Sequence, residues 1–300
     1  MVHGSTLIAS TSILRFLNEF PDEWQVPLAD WIDTFADWLI AGGEPLFAVI
    51  ADVSRSMLIS VEQALLWLPW SLVILFLALV ALKLAGVHLM VGVSVGLLFI
   101  VVLGLWDLAM STLALVAVAT LFAITVGIPM GIVMARSQPM HNVIRPILDM
   151  MQTLPTFVYL IPVLMIFSIG RVPALIATFV YAVPPMIRLT SLGIRQVPED
   201  VVEAGESMGS TWWQILTNIQ LPLALPSIMA GINQTVMMAL SMVIIASMIG
   251  AEGLGIEVLR GIGRLEIGRG FAGGICIVIL AIVIDRLLEN AVEDPTAETQ

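Results

Sequence analysis

Stretches of Leu, Ile, Val, Ala and Met, each about 20 residues long and almost free of charge, recur along this 300-residue chain. A helix of about 20 apolar residues crosses a hydrocarbon core of about 30 Å. The pattern predicts seven spans, at about 68–86, 87–105, 108–135, 147–169, 172–193, 221–249 and 271–288. Pro155, Pro162, Pro184, Pro185 and Pro226 fall in the fourth, fifth and sixth. Prolines in membrane helices are tolerated where neighbouring protein satisfies the freed carbonyls, so these spans are expected to be packed rather than lipid-facing. A soluble bundle would need polar faces that these runs lack.

The first 66 residues follow another rhythm. Trp24, Trp31 and Trp38 recur every seven residues, with Leu28 and Phe35 between them and Asp30, Asp33 and Asp37 on other faces. This predicts an amphipathic helix, either lying at the membrane–water interface or packed on the bundle. A second amphipathic stretch, roughly 46–66, leads into the first span.

A polar interruption, "EAGESMGSTWWQILTNIQLP", runs from Glu203 to Pro222 between two apolar runs. Pro198 stops the fifth span, and Glu199 and Asp200 suit the first turn of a new helix. Val201, Val202, Ala204 and Met208 can share one apolar side. Gly209 breaks the pattern, and "STWWQILTNIQ" predicts a second short helix capped by Ser210 or Thr211. Pro222 suits the start of the sixth span. The result is a helix–turn–helix outside the bilayer. A solvated connector has no need of Trp212, Trp213, Ile215 and Leu216, so a docking surface is expected.

Composition agrees with the membrane class: 59% hydrophobic, 12% charged, net charge −11, and a mean hydropathy of +1.02. The acids crowd into the ends. Residues 1–66 hold nine acids against Arg15 and Arg55, and residues 285–300 hold five against Arg286. Nothing in this balance suits nucleic acid; the C-terminal tail, 289–300, is expected to be solvated. The single cysteine, Cys276, lies in an apolar run and is expected to be a small core residue, without disulfide or metal. The beginning of the chain lacks a basic segment followed by a long apolar one, so no cleaved signal peptide is expected.

Glu203-Ala204-Gly205, then Gly209, Ile219 and Leu221-Pro222, match in identity and spacing the EAA loop of ABC importer permeases, except that Gly205 replaces the usual alanine. From about Trp106 to Leu288 the chain resembles the type I importer permease domain. The runs "LPLALPSIMAGINQTVMMALSMVIIASMIGAEGLG" and "VLRGIGRLEIGRG" resemble the branch that imports glycine betaine, proline betaine and similar osmolytes. The resemblance implies an all-α integral membrane protein with a type I ABC importer fold. Its parts would be an amphipathic region at 1–66, two extra spans at 67–106, the permease domain at 107–288 with its coupling loop near 199–221, and the tail.

The resemblance further implies that Glu203, Ala204, Gly205 and Gly209, flanked by Ser207 and Met208, contact a cytoplasmic ATPase. That ATPase must be another chain: a phosphate-cradling loop needs G-x-x-x-x-G-K-[ST], and the only lysine is Lys83 in "LALVALKLAGVHLM". ATP and Mg would be held there, with no cofactor in this chain and no catalytic or metal-binding residue. Two ATPase copies, a second permease copy (most simply identical) and an extracytoplasmic binding protein complete the expected assembly. A cytoplasmic coupling loop puts the N-terminus outside and the C-terminus inside the plasma membrane. The positive residues divide equally between the two sides and do not discriminate.

Gln152, Thr153, Thr156 and Tyr159 in the fourth span, and Asn233, Gln234, Thr235, Ser241 and Ser247 in the sixth, are the polar candidates for a substrate path. Of these Gln152, Thr156, Tyr159, Asn233, Gln234 and Ser241 are the preferred set, although such groups also bridge helices. No aromatic cage for a quaternary ammonium stands out. The loop at 250–270 fits a re-entrant gate, a docking surface or a flexible connector. An ion- or proton-coupled carrier of small zwitterions is the rival. It would place ionisable residues at mid-membrane, whereas Asp107, Asp149 and Asp285 fall near predicted span ends.

Overall fold

The structure, a computed structural model, describes residues 26–292. Trp24, Arg15 and the tail beyond 292 lie outside the described residues. Every regular element described is helical. The chain divides into two compact units, residues 1–46 and 47–300.

Helix α1 (Leu28–Trp67) starts in the first unit and ends in the second. The two amphipathic stretches expected here form one continuous 40-residue helix that passes through Pro45. It is long and apolar enough to cross a membrane. In the first unit Leu28, Trp31, Phe35 and Trp38 lie at helical spacing and are all exposed, with the Phe35 and Trp38 rings 5.9 Å apart. In the second unit Ser54, Leu58 and Glu62, spaced four apart, are buried. Glu62 accepts a hydrogen bond from Ser111 Oγ at 2.6 Å and pairs with Arg171.

The expected spans at 68–86 and 87–105 are joined in one helical run, α2 (Trp70–Val102), interrupted at Ala85 (φ −140°) and Gly86 (φ 78°). The break falls where two spans were divided in the sequence, because Gly86 alone can take the left-handed φ without penalty. Among the described residues six helices are long and apolar enough to cross a membrane, seven if one bent pair counts as a single span, and they are partitioned differently from the seven expected.

Helices α3 (Trp106–Arg136) and α4 (Gln138–Thr153) follow. The expected fourth span, 147–169, is not a straight crossing. Helix α4 ends at Thr153, a 3-10 turn (Thr156–Tyr159) leads into α5 (Leu160–Phe167), and the two limbs bend by 113°. The cause is local. Leu154 precedes a proline, which disfavours helical backbone, and it is extended at ψ 136°. Pro155 then has no N–H to continue the ladder.

The sequence proceeds through α6 (Arg171–Arg195), α7 (Glu199–Ser207), α8 (Trp212–Ile215), a π turn (Leu216–Gln220), α9 (Leu221–Met248), α10 (Leu254–Arg264) and α11 (Ile267–Val292). The core is the α3–α6–α9 packing. Lipid tails are as apolar as leucine, so helices associate in membranes through close van der Waals contact rather than a hydrophobic drive. The contacts show this. A Cβ on Gly127 would lie 2.6 Å from Met186, one on Gly131 2.6 Å from Thr190, and one on Gly193 2.7 Å from Ser227. Fully buried alanines, among them Ala114, Ala123, Ala174, Ala182 and Ala239, continue the seam. Cys276, on the last helix, is buried in the hydrophobic core as expected.

Candidate functional site

Helix α7 ends as its sequence dictates. Gly209 takes φ 80°. Its N–H bonds the Glu206 carbonyl at 2.9 Å, and the Ser210 N–H bonds that of Gly205 at 3.1 Å. This 6→1, 5→2 pair closes the helix as a Schellman motif. A Cβ on Gly209 would meet nothing within 4 Å, so backbone conformation rather than space demands the glycine. Thr211 then caps α8, with its backbone N–H donating to Gln214 Oε1 at 2.7 Å, half of a capping box.

The second helix is not separate from the sixth span. Trp212–Met248 is a single helical run broken only by the π turn. Pro222 cannot donate to the Asn218 carbonyl, and just before it the ladder widens, the Leu221 N–H reaching Leu216. Force applied at Trp212 therefore enters α9 without crossing a loop.

The site residues divide sharply by exposure. Glu203, Ala204, Ser207 and Gly209 are exposed, and Met208 is 87% exposed. Gly205 is buried instead: its Cβ would lie 2.8 Å from Ile219 Cδ1 and 3.6 Å from Ile215. Its smallness serves contact between the two helices of the loop. The apolar side formed by Val201, Val202, Ala204 and Met208 is left largely uncovered. Only Val202 is half-buried, and the other three are exposed. The second helix approaches over Gly205, the smallest residue, and leaves that side uncovered.

Between the pair and the bundle lies a cavity of about 640 Å³ lined by Arg136, Arg195, Glu199, Glu203, Glu206 and Trp212 among others. Arg136, the last residue of α3, stacks on Trp212 with its guanidinium carbon 3.7 Å from the ring centroid. Such cation–π contacts contribute about 0.5–1 kcal/mol at exposed sites. Arg195, the last residue of α6, donates from Nε to the Ala135 carbonyl at 3.2 Å and from Nη2 to Gln138 Oε1 at 2.9 Å. Sequence reasoning missed both roles. The available signal was that each arginine ends a span, where cations suit the helix dipole.

The path candidates do not converge on one cavity. Gln152 and Thr153 are exposed near the end of α4, and Thr156 is half-buried at the start of the 3-10 turn. The Tyr159 hydroxyl donates to the Met151 carbonyl, and its ring meets Tyr181 edge-on at 5.9 Å. Asn233 Nδ2 donates to Asp285 Oδ1 at 2.7 Å. Gln234 and Ser241 are exposed, and Ser241 bonds the Met237 carbonyl at 2.9 Å. Thr235 and Ser247 are buried. Asp285, placed near a span end by sequence, sits two turns inside α11 and meets the middle of α9.

The region 250–270 is helical rather than a flexible connector. Glu257, only 9% exposed in its side chain, receives Arg260 Nη1 at 2.8 Å and Arg269 Nη2 at 3.3 Å. The hydrogen bond from Arg269, ahead of the one from Arg260, holds its carboxyl below the usual range in spite of burial.

A closely packed helical bundle, a broken fourth span and an amphipathic pair fused to the sixth define a class: a multi-span permease of the type I ABC importer fold. Chains from two crystals of the inward-facing MetNI methionine ABC transporter share this fold. The TM-scores are 0.54 and 0.51, with 23% and 24% identity, and they match 62% and 60% of this chain and 92% and 88% of those chains. Residues 127–292 match the family described as binding-protein-dependent transport system inner membrane component. The chain is 49% identical over 269 residues to the glycine betaine/proline betaine transport system permease protein ProW of Escherichia coli, covering 90% of this chain and 76% of that one. It is 43% identical to the glycine betaine transport system permease protein OpuAB of Bacillus subtilis, covering 89% and 94%, and 34% identical to the trimethylamine N-oxide permease TmoV of Ruegeria pomeroyi, covering 94% and 45%. The chain belongs to the family of binding-protein-dependent transport system inner membrane components, and it is a transport subunit rather than an enzyme.

Proposed function

We propose that this chain is the permease subunit of an ATP-driven importer of quaternary ammonium osmolytes, glycine betaine or proline betaine, with choline or trimethylamine N-oxide as related candidates. The similarity to betaine permeases over nine-tenths of the chain supports the substrate class. The observation that carries the mechanism is the exposed, glycine-terminated helix α7, joined through α8 to a helical run that enters the bundle.

Of two copies of a separate ATPase, which hold the ATP and Mg, one seats on the exposed face formed by Glu203, Ala204, Ser207 and Met208, and the other on the same face of a second permease copy. Gly205 and Gly209 shape that face from behind and at its end. Closure of the ATPases on ATP turns the α8–α9 rod, and Arg136 on Trp212 passes the motion to α3. Access then alternates because the two conformations differ in affinity for the osmolyte. A second copy of the permease, simplest as a homodimer, faces this one across the path. Gln152, Thr156, Gln234 and Ser241 line that path, and Tyr159 and Asn233 brace it. A binding protein outside the plasma membrane delivers the osmolyte. The N-terminus lies outside and the C-terminus in the cytoplasm.

The test is copurification of the ATPase with Ala204→Trp, together with uptake of labelled glycine betaine in cells lacking other betaine importers. Loss of both is expected, with normal amounts of permease in the membrane. Wild-type assembly and uptake would reduce the loop to a connector.

A further inference from the structure

A second charged cavity, of about 290 Å³, lies between α4 and α6. Its polar lining is His141, Arg145 and Asp149 from α4, one turn apart in succession, and Arg188, Ser191 and Arg195 from α6. Three guanidiniums face one carboxylate. Asp149 Oδ1 is taken by Arg188 Nη2 at 2.6 Å, and Arg195 is directed at Ala135 and Gln138. Among the described residues Arg145 has neither ion pair nor hydrogen bond.

Two buried polar atoms on this lining also lack partners: Ser191 Oγ, in a residue only 2% exposed, and His141 Nδ1. Buried polar atoms are almost always hydrogen-bonded, and each exception calls for a missing partner. Here the two exceptions stand on facing helices beside Arg145, an exposed arginine without a protein partner among the described residues. A hydroxyl, an imidazole nitrogen and a guanidinium are all donors, and together they suit a tetrahedral oxyanion with several acceptor oxygens. The outer side of α4 beside this cavity exposes Val143, Ile147 and Met150, an apolar strip next to a cationic pocket.

We propose that the His141–Arg145–Ser191 cavity binds a phosphate group, supplied by an anionic phospholipid headgroup or by free phosphate. The charge of the bound group offsets Arg145, and Ser191 Oγ and His141 Nδ1 donate to its oxygens. Burial first, then the charges of Arg195 and Arg145, hold His141 below its ordinary pKa. An anion beside it acts in the opposite direction, with Arg188 and Asp149 the remaining charged groups that line the cavity. Binding therefore takes up a proton and tightens as pH falls. The site stands independently of which osmolyte is carried.

The experiment uses the full chain in maltoside detergent at constant ionic strength, following thermal stability against dioctanoyl phosphatidylglycerol, inorganic phosphate and zwitterionic dioctanoyl phosphatidylcholine. Saturable stabilisation by phosphatidylglycerol is expected, with none from phosphatidylcholine; stabilisation by inorganic phosphate alone would support the site with a soluble ligand. Losing a charge-assisted hydrogen bond should raise the half-saturating concentration about tenfold or more in Arg145→Gln. It should rise severalfold in Ser191→Ala and stay unchanged in Arg286→Gln, at an exposed position on α11. Phosphatidylglycerol keeps its charge between pH 8 and pH 6, so tighter binding at the lower pH, absent in His141→Gln, reports the imidazole. The proposal is overturned if neither anion stabilises the wild-type chain, or if Arg145→Gln and Arg286→Gln respond alike.

Discussion

Two short amphipathic helices flank α9. Helix α7 precedes it, through α8 and the π turn, and α10 follows it. They are 9 and 11 residues long and have opposite relations to their surroundings. The acids of α7 at Glu203 and Glu206 are exposed, without an ion pair among the described residues, and its apolar residues Val201 and Met208 are uncovered. The acid of α10, Glu257, is buried and gripped by two arginines. A Cβ on Gly255 in α10 would lie 2.4 Å from Ser247, whereas one on Gly209 after α7 would touch nothing. One helix is fastened to its own chain. The other leaves its acids and Met208 uncovered, the arrangement expected of a surface awaiting another protein.

The strongest way to break this contrast is Gly209→Val. A β-branched residue at φ 80° carries a penalty of roughly 1–2 kcal/mol, which the unpacked turn can relieve only by moving α8. Uptake should fall to background while the permease still reaches the membrane. Retained uptake would mean that the angle between α7 and α8 is immaterial.

Next in size is Glu257→Gln, which leaves Arg260 and Arg269 sharing a neutral amide. The arginines are partly exposed, which screens the loss, so a fall of only a few degrees in melting temperature is expected. Glu203→Gln should leave melting unchanged, because that acid holds nothing in its own chain. Equal shifts in the two variants would erase the distinction.

The same pair separates in acid. The folded-state pKa of Glu257 is depressed, so its stabilisation is complete above the ordinary value of 4.5 and is lost as pH falls through the lower folded value. Melting of the wild type should lose stability in that window, and Glu257→Gln should show a shallower decline. Parallel curves would exclude Glu257 as the source.

The smallest effect is expected from Gly205→Ala, the residue usual at this place in EAA loops. The added methyl meets the far end of the flexible Ile219 side chain, which can move aside, so uptake should change by less than about twofold. Gly205→Leu should be far worse, because α7 would be pushed off Ile219. If alanine were as harmful as leucine, the packing assigned to Gly205 would be wrong.

Much of the coupling region is legible in the sequence. Pro198 ahead of α7, the acids of its first turn, the left-handed Gly209 and the Thr211 cap are interactions between residues at most a few positions apart, so sequence carries them directly. The tertiary arrangement decided which sides of the same stretch are covered. Val201 and Met208 share an apolar side that stays open, while Gly205, on the same short helix, is covered by Ile219. Periodicity says which residues share a side, but not which side a neighbour will cover. The fourth span shows a similar limit. Pro155 marks a local break in the helix, but the angle of 113° between its limbs is seen only in the folded chain.

Composition and periodicity alone determined that this chain is helical and membrane-embedded, because the thickness of a bilayer and the need to satisfy every backbone group leave few alternatives. The EAA spacing fixed where a polar helix pair would emerge. Only the tertiary structure decided that Arg136 would stack on Trp212, that Asn233 would reach Asp285, and that His141 and Ser191 would face each other across one cavity. These partners lie 50 or more residues apart in a chain whose spans are built from interchangeable Leu, Ile, Val, Ala and Met. Hydrophobicity places such helices in the bilayer but does not orient them against one another. Their rotation is set by the close contacts at Gly127, Gly131 and Gly193, and those exist only once the helices have met.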